Sequence, residues 1–303
     1  ILKEDIDRPI GGVKQIYRLA SILVELGHQA SIVQNTSDFR PSWFNSSDKL
    51  QAISFSDFSN RPLDSCFDII VIPEPFIALF FRLPNVPIII FNQNMNFLHG
   101  EKMNIKPEFV HTVYSSPRLA HVLSVSQSDF SYILNLLPVS SSKVSLLVNA
   151  IETDIFDFNF ASSKSIAYMP RKNSDHVNIV LALLNQQDWF ANSNWKLLPI
   201  INLPQIDVSK ILRSSSIFLS FGYPEGFGLP LAEALSTGCY IVGYDGIGGR
   251  EISQLGQILN VFQPIEFRDF HGFVMALKTA MELFDNASPT LHSNLQSASD
   301  LIS

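Results

Sequence analysis

The fold of this chain is constrained most by one stretch, residues 218–251, which reads FLSFGYPEGFGLPLAEALSTGCYIVGYDGIGGRE. The apolar run at 217–221 predicts a buried strand. Pro230 suits the start of a helix because the missing N–H of proline has no intrahelical partner in the first turn. Gly238 ends that helix, and residues 240–242 predict the next strand. Strand, glycine turn, helix and strand make a βαβ unit, which builds parallel sheets.

The turn between this strand and this helix is suited to an anionic ligand. Ligands of open α/β sheets bind at the carboxyl ends of the strands. The positive end of the helix dipole also lies there and favours negative charge. We expect four backbone N–H groups to be free to face an anion, those of Gly226, Phe227, Gly228 and Leu229.

Two acids, Glu225 and Glu233, bracket the turn with seven residues between them. An acid in the loop beside exposed amides can hold sugar hydroxyls, and an acid one turn into the helix can accept both hydroxyls of a ribose. The alternative is that Glu225 is solvated and Glu233 merely favours the positive end of the helix. Both interpretations stand on the residues alone.

Length and charge limit the classes of protein. A chain of 303 residues predicts about two domains. Hydrophobic residues make up 46% and charged residues 16%, which indicates a globular chain. The net charge is −7 without a long basic run, so we expect no nucleic-acid partner. An anionic ligand therefore has to be held by a few cations and by backbone amides.

We expect no transmembrane segment and no secretory signal. The most apolar stretch, residues 77–91, is interrupted by an arginine and two prolines, whereas a membrane span needs about 20 apolar residues. Peripheral contact with a membrane stays open. Cys66 and Cys239 are too few for a disulfide framework or a zinc site, which favours a reducing, cytoplasmic location.

The rest of the chain alternates strands and helices. Gly11 and Gly12 form a turn before a helix at 13–26, and a strand follows at 30–33. This alternation predicts parallel, doubly wound sheets. We expect further strands at 67–72, 87–91, 122–125 and 144–148 in the first half, and at 166–169, 196–200 and 258–262 in the second.

The string EGFGLPLAEALSTGC at 225–239 resembles the signature of the family 4 glycosyltransferases of the GT-B superfamily. That signature is a Glu, seven residues and a second Glu, with G-F-G-L-P inside and A-x-x-x-G-C after. The segment N-A-I-E at 149–152 is similar to the N-G-I-D that closes the first domain in this family. The resemblance implies an α/β fold with two Rossmann-like, doubly wound domains that face each other across a cleft. It places the acceptor-side domain at 1–160, the nucleotide-sugar-binding domain at 161–286, and a shortened terminal helix that returns toward the first domain at 287–303.

The resemblance also implies an activity. It implies a retaining, hexosyltransferase-type enzyme of polysaccharide biosynthesis, which moves a sugar from a nucleotide-diphosphate donor to a glycan, a lipid-linked acceptor or a small molecule. No cofactor or metal is expected. Glu225 would hold the transferred sugar and Glu233 the ribose of the donor. Gly11 and Gly12 would let the backbone approach the donor phosphate or the acceptor.

Cations for the diphosphate are implied by the same resemblance. Arg171 matches the arginine with which relatives neutralise the diphosphate, but the lysine five positions later is His176 here. Lys172 is the candidate for the second cation, and the alternative is a solvated Arg-Lys turn. Relatives carry a histidine near Gln93 and Asn94 on the acceptor side, where this chain has neutral amides.

These departures keep two other functions open. The missing lysine, the missing histidine and the short tail are compatible with a catalytically weak nucleotide-sugar-binding subunit, or with a sugar-nucleotide epimerase of GT-B architecture. Asp5 and Asp7 mimic the D-x-D metal site of a different glycosyltransferase fold but lack its strand and turn context. Gly248 and Gly249 belong to a loop that lies beside the donor in the family. That loop lacks the third glycine of a dinucleotide fingerprint.

Overall fold

The structure, a computed structural model, describes residues 1–2, 4–99, 105–161, 163–286, 288 and 290–302. These residues form two compact units, Ile1–Asn149 and Ala150–Ser303. The division falls within the N-A-I-E segment, ahead of the domain boundary that the sequence places at residue 160. Of the predicted tail, residues 287, 289 and 303 lie outside the described residues.

The first unit is an α/β unit of parallel strands. Its short first strand, β1, pairs with β2, and the other four strands pair in the order β3-β4-β5-β6. The strands are β1 Ser31–Gln34, β2 Gln51–Ser54, β3 Ile70–Pro73, β4 Ile88–Asn92, β5 Leu119–Ser124 and β6 Val144–Leu146. The helices are α1 Gly11–Glu25, α2 Phe55–Asn60, α3 Pro107–Tyr114 and α4 Gln127–Leu136, with 3-10 turns at Glu74–Arg82, Met95–His99 and Ser141–Lys143.

The first two residues connect the two sheets of this unit. The amino group of Ile1 donates to the carbonyl of Val71 at 2.8 Å, and the N–H of Leu2 donates to the carbonyl of Val33 at 2.7 Å. Residues 1–2 therefore lie between β1 and β3. The strands β1 and β2 lie on one side of these residues and β3 to β6 on the other, so the order of the strands reverses here. This is the topological switch point of the first unit.

The second unit contains one five-stranded parallel sheet in the order β11-β10-β9-β7-β8. Its switch point lies between the neighbouring strands β7 and β9. The strands are β7 Ser165–Tyr168, β8 Lys196–Pro199, β9 Ile217–Ser220, β10 Tyr240–Gly243 and β11 Phe262–Pro264. The helices are α5 Ser174–Asn185, α6 Asp188–Ala191, α7 Gln205–Arg213, α8 Leu229–Ser236, α9 Arg250–Ile258, α10 Phe270–Asp285 and α11 Leu291–Ile302.

The burial of the strands explains why their sequences are continuous apolar runs. Every residue of β7, β9 and β10 is buried, as expected of a parallel sheet covered on both faces. In the first unit, the Oγ atom of Ser126 accepts a hydrogen bond from the N–H of Asp129 and so caps α4. The predicted α/β class with two doubly wound units is confirmed.

The predicted strand at 258–262 is wrong. Ile258 ends α9, and the strand β11 begins only at Phe262. Ile258 is apolar, as a strand residue would be, yet its side chain is mostly exposed at the helix end. The sequence also failed to indicate β2, because that strand is short and only its Ala52 is fully buried.

The last helix packs within the second unit. Leu295 of α11 is fully buried, and the hydroxyl of Ser299 donates to the carbonyl of Ser236 in α8 at 2.7 Å. This helix therefore covers the helix that follows the glycine turn. Its packing supports the position of α8.

We expect Leu295→Ala to lower the free energy of unfolding of the second unit by about 2–5 kcal/mol, because the substitution leaves a cavity. Leu301→Ala on the same helix is the control, since Leu301 is 66% exposed and Leu295 is 0% exposed. Chemical denaturation followed by circular dichroism measures both. Equal losses for the two variants would show that α11 does not pack as described.

Candidate functional site

A small pocket of about 40 Å³, open to solvent, lies at the switch point of the second unit. The loop after β7 contributes Arg171 and Lys172 to its lining, and the turn after β9 contributes Gly222 and Glu225. The start of α8 contributes Gly228, Pro230 and Leu231. The pocket is therefore built from the carboxyl ends of two neighbouring strands, where open α/β sheets bind ligands.

Lys172 and Glu225 form an ion pair in this pocket. The Nζ atom of Lys172 lies 2.5 Å from Oε2 of Glu225, and their side chains are 31% and 17% exposed. Exposed ion pairs are weak, but partial burial strengthens the attraction because the dielectric constant falls. The cation and the acid that the sequence assigns to different parts of a donor thus contact each other directly.

Two glycines hold the chain around Glu225. The N–H of Glu225 donates to the carbonyl of Gly246 at 2.7 Å, and the N–H of Gly248 donates to the carbonyl of Glu225 at 3.1 Å. A Cβ atom on Gly222 would lie 2.6 Å from Oε1 of Glu225, and one on Gly246 would lie 2.8 Å from its Cβ. A side chain at either position would displace Glu225, and Gly246 in addition has a positive φ that favours glycine, so the turns after β9 and β10 clamp Glu225 between them.

The start of α8 carries the amides that the sequence singles out. Gly228 precedes the helix with φ 87° and ψ 46°, and its carbonyl accepts from the N–H groups of Leu231 and Ala232. Within the described part of the chain, no acceptor pairs with the N–H groups of residues 226–229. Gly228 lines the pocket, whereas Gly226 and Phe227 are buried residues outside its lining.

Glu233 is not brought to the pocket. It is a buried residue of α8, and its carbonyl accepts from the N–H and the hydroxyl of Thr237. Pro230 and Leu231 of α8 line the pocket, whereas Glu233 is not among the lining residues. Of the two acids, it is therefore Glu225 that the structure places in the pocket lining. The assignment of the ribose to Glu233 stays a prediction.

Asn173 is a structural residue of this site that sequence reasoning missed. It adopts the left-handed conformation with φ 49°, and its Nδ2 donates to the carbonyls of Phe221 at 2.7 Å and Tyr223 at 2.9 Å. It thereby fixes the loop of Arg171 and Lys172 to the turn after β9. The available signal was an asparagine, a residue that tolerates positive φ, directly after two cations.

His176, at the position of the family's lysine, lies in an aromatic cluster. Its Nδ1 is 3.1 Å from the hydroxyl of Tyr244, and its ring centroid lies 4.9 Å from that of Phe267. Burial, with a contribution from the nearby Arg268, lowers the pKa of His176. This lowering disfavours the charged imidazole as a second cation. Lys172 is the cation that reaches Glu225 instead.

The first unit brings together the residues predicted for the acceptor side. Gly11 and Gly12 begin α1, and a Cβ atom on Gly12 would lie 2.9 Å from Oε1 of Gln93. Asn94 is buried beside Gln93 at the end of β4. The glycine turn and the amide side chain therefore meet at the switch point of this unit.

Asp5 and Asp7 are loop anchors. Asp5 accepts from the N–H groups of Asn35 and Thr36 at 3.1 and 3.2 Å, and Asp7 accepts from the N–H of Ser42 at 2.6 Å. Both carboxylates therefore have hydrogen-bond donors within the protein and hold the neighbouring loops in place. Across the described residues, no group of three or more His, Cys, Asp or Glu side chains is arranged to hold a metal ion.

None of the described helices is long and apolar enough to cross a bilayer.

Comparison with known proteins identifies the fold. No family model matches the chain, and no curated protein matches it. Among solved structures, sucrose-phosphate synthase from Thermosynechococcus elongatus superposes with a TM-score of 0.72 at 10% identity, over 99% of this chain and 93% of that one. HepE from Anabaena, in complex with UDP and glucose, gives 0.64 at 13% identity, over 99% and 94%.

A third structure agrees with these two. The catalytic domain of starch synthase IV from Arabidopsis thaliana, bound to ADP and acarbose, gives a TM-score of 0.60 at 13% identity, over 98% of this chain and 94% of that domain. The chain therefore has the GT-B fold of glycosyltransferases, as the resemblance at 225–239 predicts.

We expect Gly246→Ala to destabilise the protein more than Gly27→Ala. Both glycines have positive φ, 71° and 89°, so both substitutions cost about 1–2 kcal/mol of backbone strain. Only at Gly246 does the new methyl group also collide with Glu225, which adds about 1–3 kcal/mol. Nothing lies within 4 Å of a Cβ atom on Gly27. Denaturant unfolding measures the difference, and equal losses would refute the clamp around Glu225.

Proposed function

We propose that this chain is a retaining glycosyltransferase of the hexosyltransferase type. It would move a sugar from a nucleotide-diphosphate donor to a glycan, a lipid-linked acceptor or a small molecule. The observation that carries the proposal is the pocket in which Arg171 and Lys172 face Glu225 and the N-terminus of α8. Support comes from HepE and starch synthase IV, whose structures with the same fold hold UDP with glucose and ADP with acarbose.

In this proposal the donor diphosphate binds between the loop after β7 and the start of α8. Arg171 donates two parallel hydrogen bonds to phosphate oxygens, for which its planar guanidinium is suited. Lys172 and the amides of residues 226–229 supply further positive charge, together with the helix dipole. These groups stabilise the charge that develops on the departing nucleotide diphosphate. In this proposal the negative charge of the diphosphate is balanced by these groups, without a metal ion or a cofactor.

The ion pair gives Lys172 and Glu225 a coupled role. A diphosphate carries more charge than one carboxylate, so it attracts the ammonium group of Lys172 away from Glu225. Glu225 is then free to accept hydrogen bonds from the hydroxyls of the transferred sugar. Donor binding thus prepares the sugar subsite. Glu233 is kept as the contact of the donor ribose on the strength of its spacing alone.

The acceptor is assigned to the first unit, near Gly11, Gly12, Gln93 and Asn94. Gln93 can bind an acceptor hydroxyl, but an amide takes up no proton at neutral pH. The departing phosphate oxygen is then the base that removes the hydroxyl proton, while the sugar–phosphate bond breaks and the new glycosidic bond forms. Attack from the face that the phosphate leaves retains the configuration. We place this reaction in the cytoplasm, in keeping with the two unpaired cysteines.

Two other functions use the same pocket. His176 in place of a lysine is compatible with a subunit that binds a nucleotide sugar and turns it over poorly. A sugar-nucleotide epimerase would use the same donor contacts but invert C2 of the sugar. Calorimetric titration with UDP-glucose, UDP-N-acetylglucosamine and ADP-glucose, followed by assays of nucleotide release, separates the three. Binding without release indicates the subunit, and C2 inversion indicates the epimerase.

We expect Lys172→Met to weaken the binding of UDP or ADP at least about tenfold, since a hydrogen bond to a charged group contributes about 1.5–3 kcal/mol. Binding of the corresponding nucleoside, which has no phosphate, should stay unchanged. Lys210→Met is the control, because Lys210 is an exposed lysine paired with Asp207 at 2.8 Å on α7, outside the pocket lining. Calorimetry measures the binding of the nucleotide and of the nucleoside to wild type and to both variants. An equal affinity of wild type and Lys172→Met for the diphosphate would refute the assignment.

A further inference from the structure

A cluster of buried polar groups lies at the switch point of the first unit. Glu74 follows β3, Asn92 ends β4, and Asp129 belongs to the first turn of α4. Their exposed fractions are 1%, 0% and 3%, although Glu and Asp are rarely buried without a partner. The function proposed above uses none of these three side chains.

The two carboxyl groups hold one short segment of the chain. Oε2 of Glu74 accepts from the N–H of Gln93 at 2.8 Å. Oδ2 of Asp129 accepts from Nδ2 of Asn92 at 3.2 Å and from the N–H of Met95 at 3.0 Å. Residues 92–95 are therefore fixed from two sides, and Glu74 is the group that holds Gln93.

The position of Gln93 matters because of its close contact with α1. A side chain on Gly12 would displace the Oε1 atom of Gln93, which would lie 2.9 Å from the new Cβ atom. A shift of the Gln93 backbone would move this oxygen away from the glycine turn or into it. The contact between the acceptor-side amide and the glycine turn thus depends on the hydrogen bond to Glu74.

The charge of Glu74 has no counter-ion in the described part of the chain. Its neighbours are Asp129 from α4 and the phenol of Tyr114 from α3, neither of which is cationic. Burial, with a smaller contribution from Asp129, raises the pKa of Glu74 to about 8, and burial raises the pKa of Asp129 to about 6. Oδ1 of Asn92 and the hydroxyl of Tyr114 are also buried, with no partner among the described residues. The cluster therefore has no group that would neutralise an ionised Glu74.

We propose that Glu74 is a positioning residue of the acceptor site: its hydrogen bond holds Gln93 against Gly11 and Gly12 at the start of α1, where Gln93 binds the acceptor hydroxyl. This inference rests on the function proposed above. Glu74 does not contact the acceptor itself, because its side chain is buried beneath Gln93. It acts by keeping the amide of Gln93 in place.

The first arm of the test needs no ligand. Hydrogen exchange of the backbone N–H of Gln93 should be equally slow in wild type and in Glu74→Gln, which keeps an accepting oxygen without the charge. Exchange should be faster by at least about fivefold in Glu74→Leu, which removes the acceptor of a bond of about 1 kcal/mol. Asp57→Asn on α2 is the control, as an exposed carboxylate of the same unit that should leave Gln93 unaffected. Equal exchange in wild type and Glu74→Leu would overturn the proposal.

The second arm compares two acceptors, with UDP-glucose or ADP-glucose as donor. Glu74→Leu should lower transfer to maltotriose or octyl glucoside about tenfold and leave the hydrolysis of the donor by water unchanged. A merely structural role would lower both rates together, and that result would also overturn the proposal. If no nucleotide sugar binds at all, the proposed function fails, and the exchange arm still decides whether Glu74 positions Gln93.

The pH profile gives a third readout. Folding raises the pKa of Glu74 from its ordinary value of 4.5 to about 8, so the folded chain retains a proton that the unfolded chain loses, and stability falls as the pH rises from about 4.5 to about 8. Transfer by wild type should fall around pH 8, where Glu74 of the folded chain ionises, and transfer by Glu74→Gln should not. Parallel pH profiles for the two proteins would contradict a neutral Glu74.

Discussion

The backbone contact between the turns after β9 and β10 is the constraint on which the site depends. Parallel pairing of these strands brings Gly222 and Gly246 to the same edge of the sheet, and Glu225 is held between them. A side chain at either glycine would displace the carboxylate. Asn173 adds the loop after β7 to this arrangement, which places Lys172 within 2.5 Å of Glu225. The position of the cation thus follows from the packing of three strand ends.

Both units have the same architecture at their switch points. In each, glycines lie at the start of a helix: Gly11 and Gly12 are the first two residues of α1, and residues 226–228 precede α8. The second unit adds two cations, which suits an anionic diphosphate. The first unit adds neutral amides and buried acids, which suits an uncharged hydroxyl. The difference in charge between the two sites supports a donor in one unit and an acceptor in the other.

The sequence predicted the features that depend on neighbouring residues. The apolar run of β9, the glycine turn and the start of α8 could all be identified because each is a local pattern. The contacts of Asn173 with Tyr223 and of Glu74 with Gln93 could not, since the partners are 50 and 19 residues apart and no pattern links them. The orientation of His176 toward Tyr244 spans 68 residues and was equally hidden. The signature brackets the turn with two acids, and of these Glu225 lines the pocket while Glu233 is buried on α8.

In the proposed reaction, a bound donor diphosphate attracts the ammonium group of Lys172 away from the carboxylate of Glu225. A crystal structure with a bound nucleotide sugar measures this directly, through the distance between Nζ of Lys172 and Oε2 of Glu225. We expect that distance to increase from 2.5 Å to beyond hydrogen-bonding range, with Nζ about 2.7–2.9 Å from a phosphate oxygen and Glu225 accepting from a sugar hydroxyl. An intact ion pair with the diphosphate bound elsewhere would contradict the account.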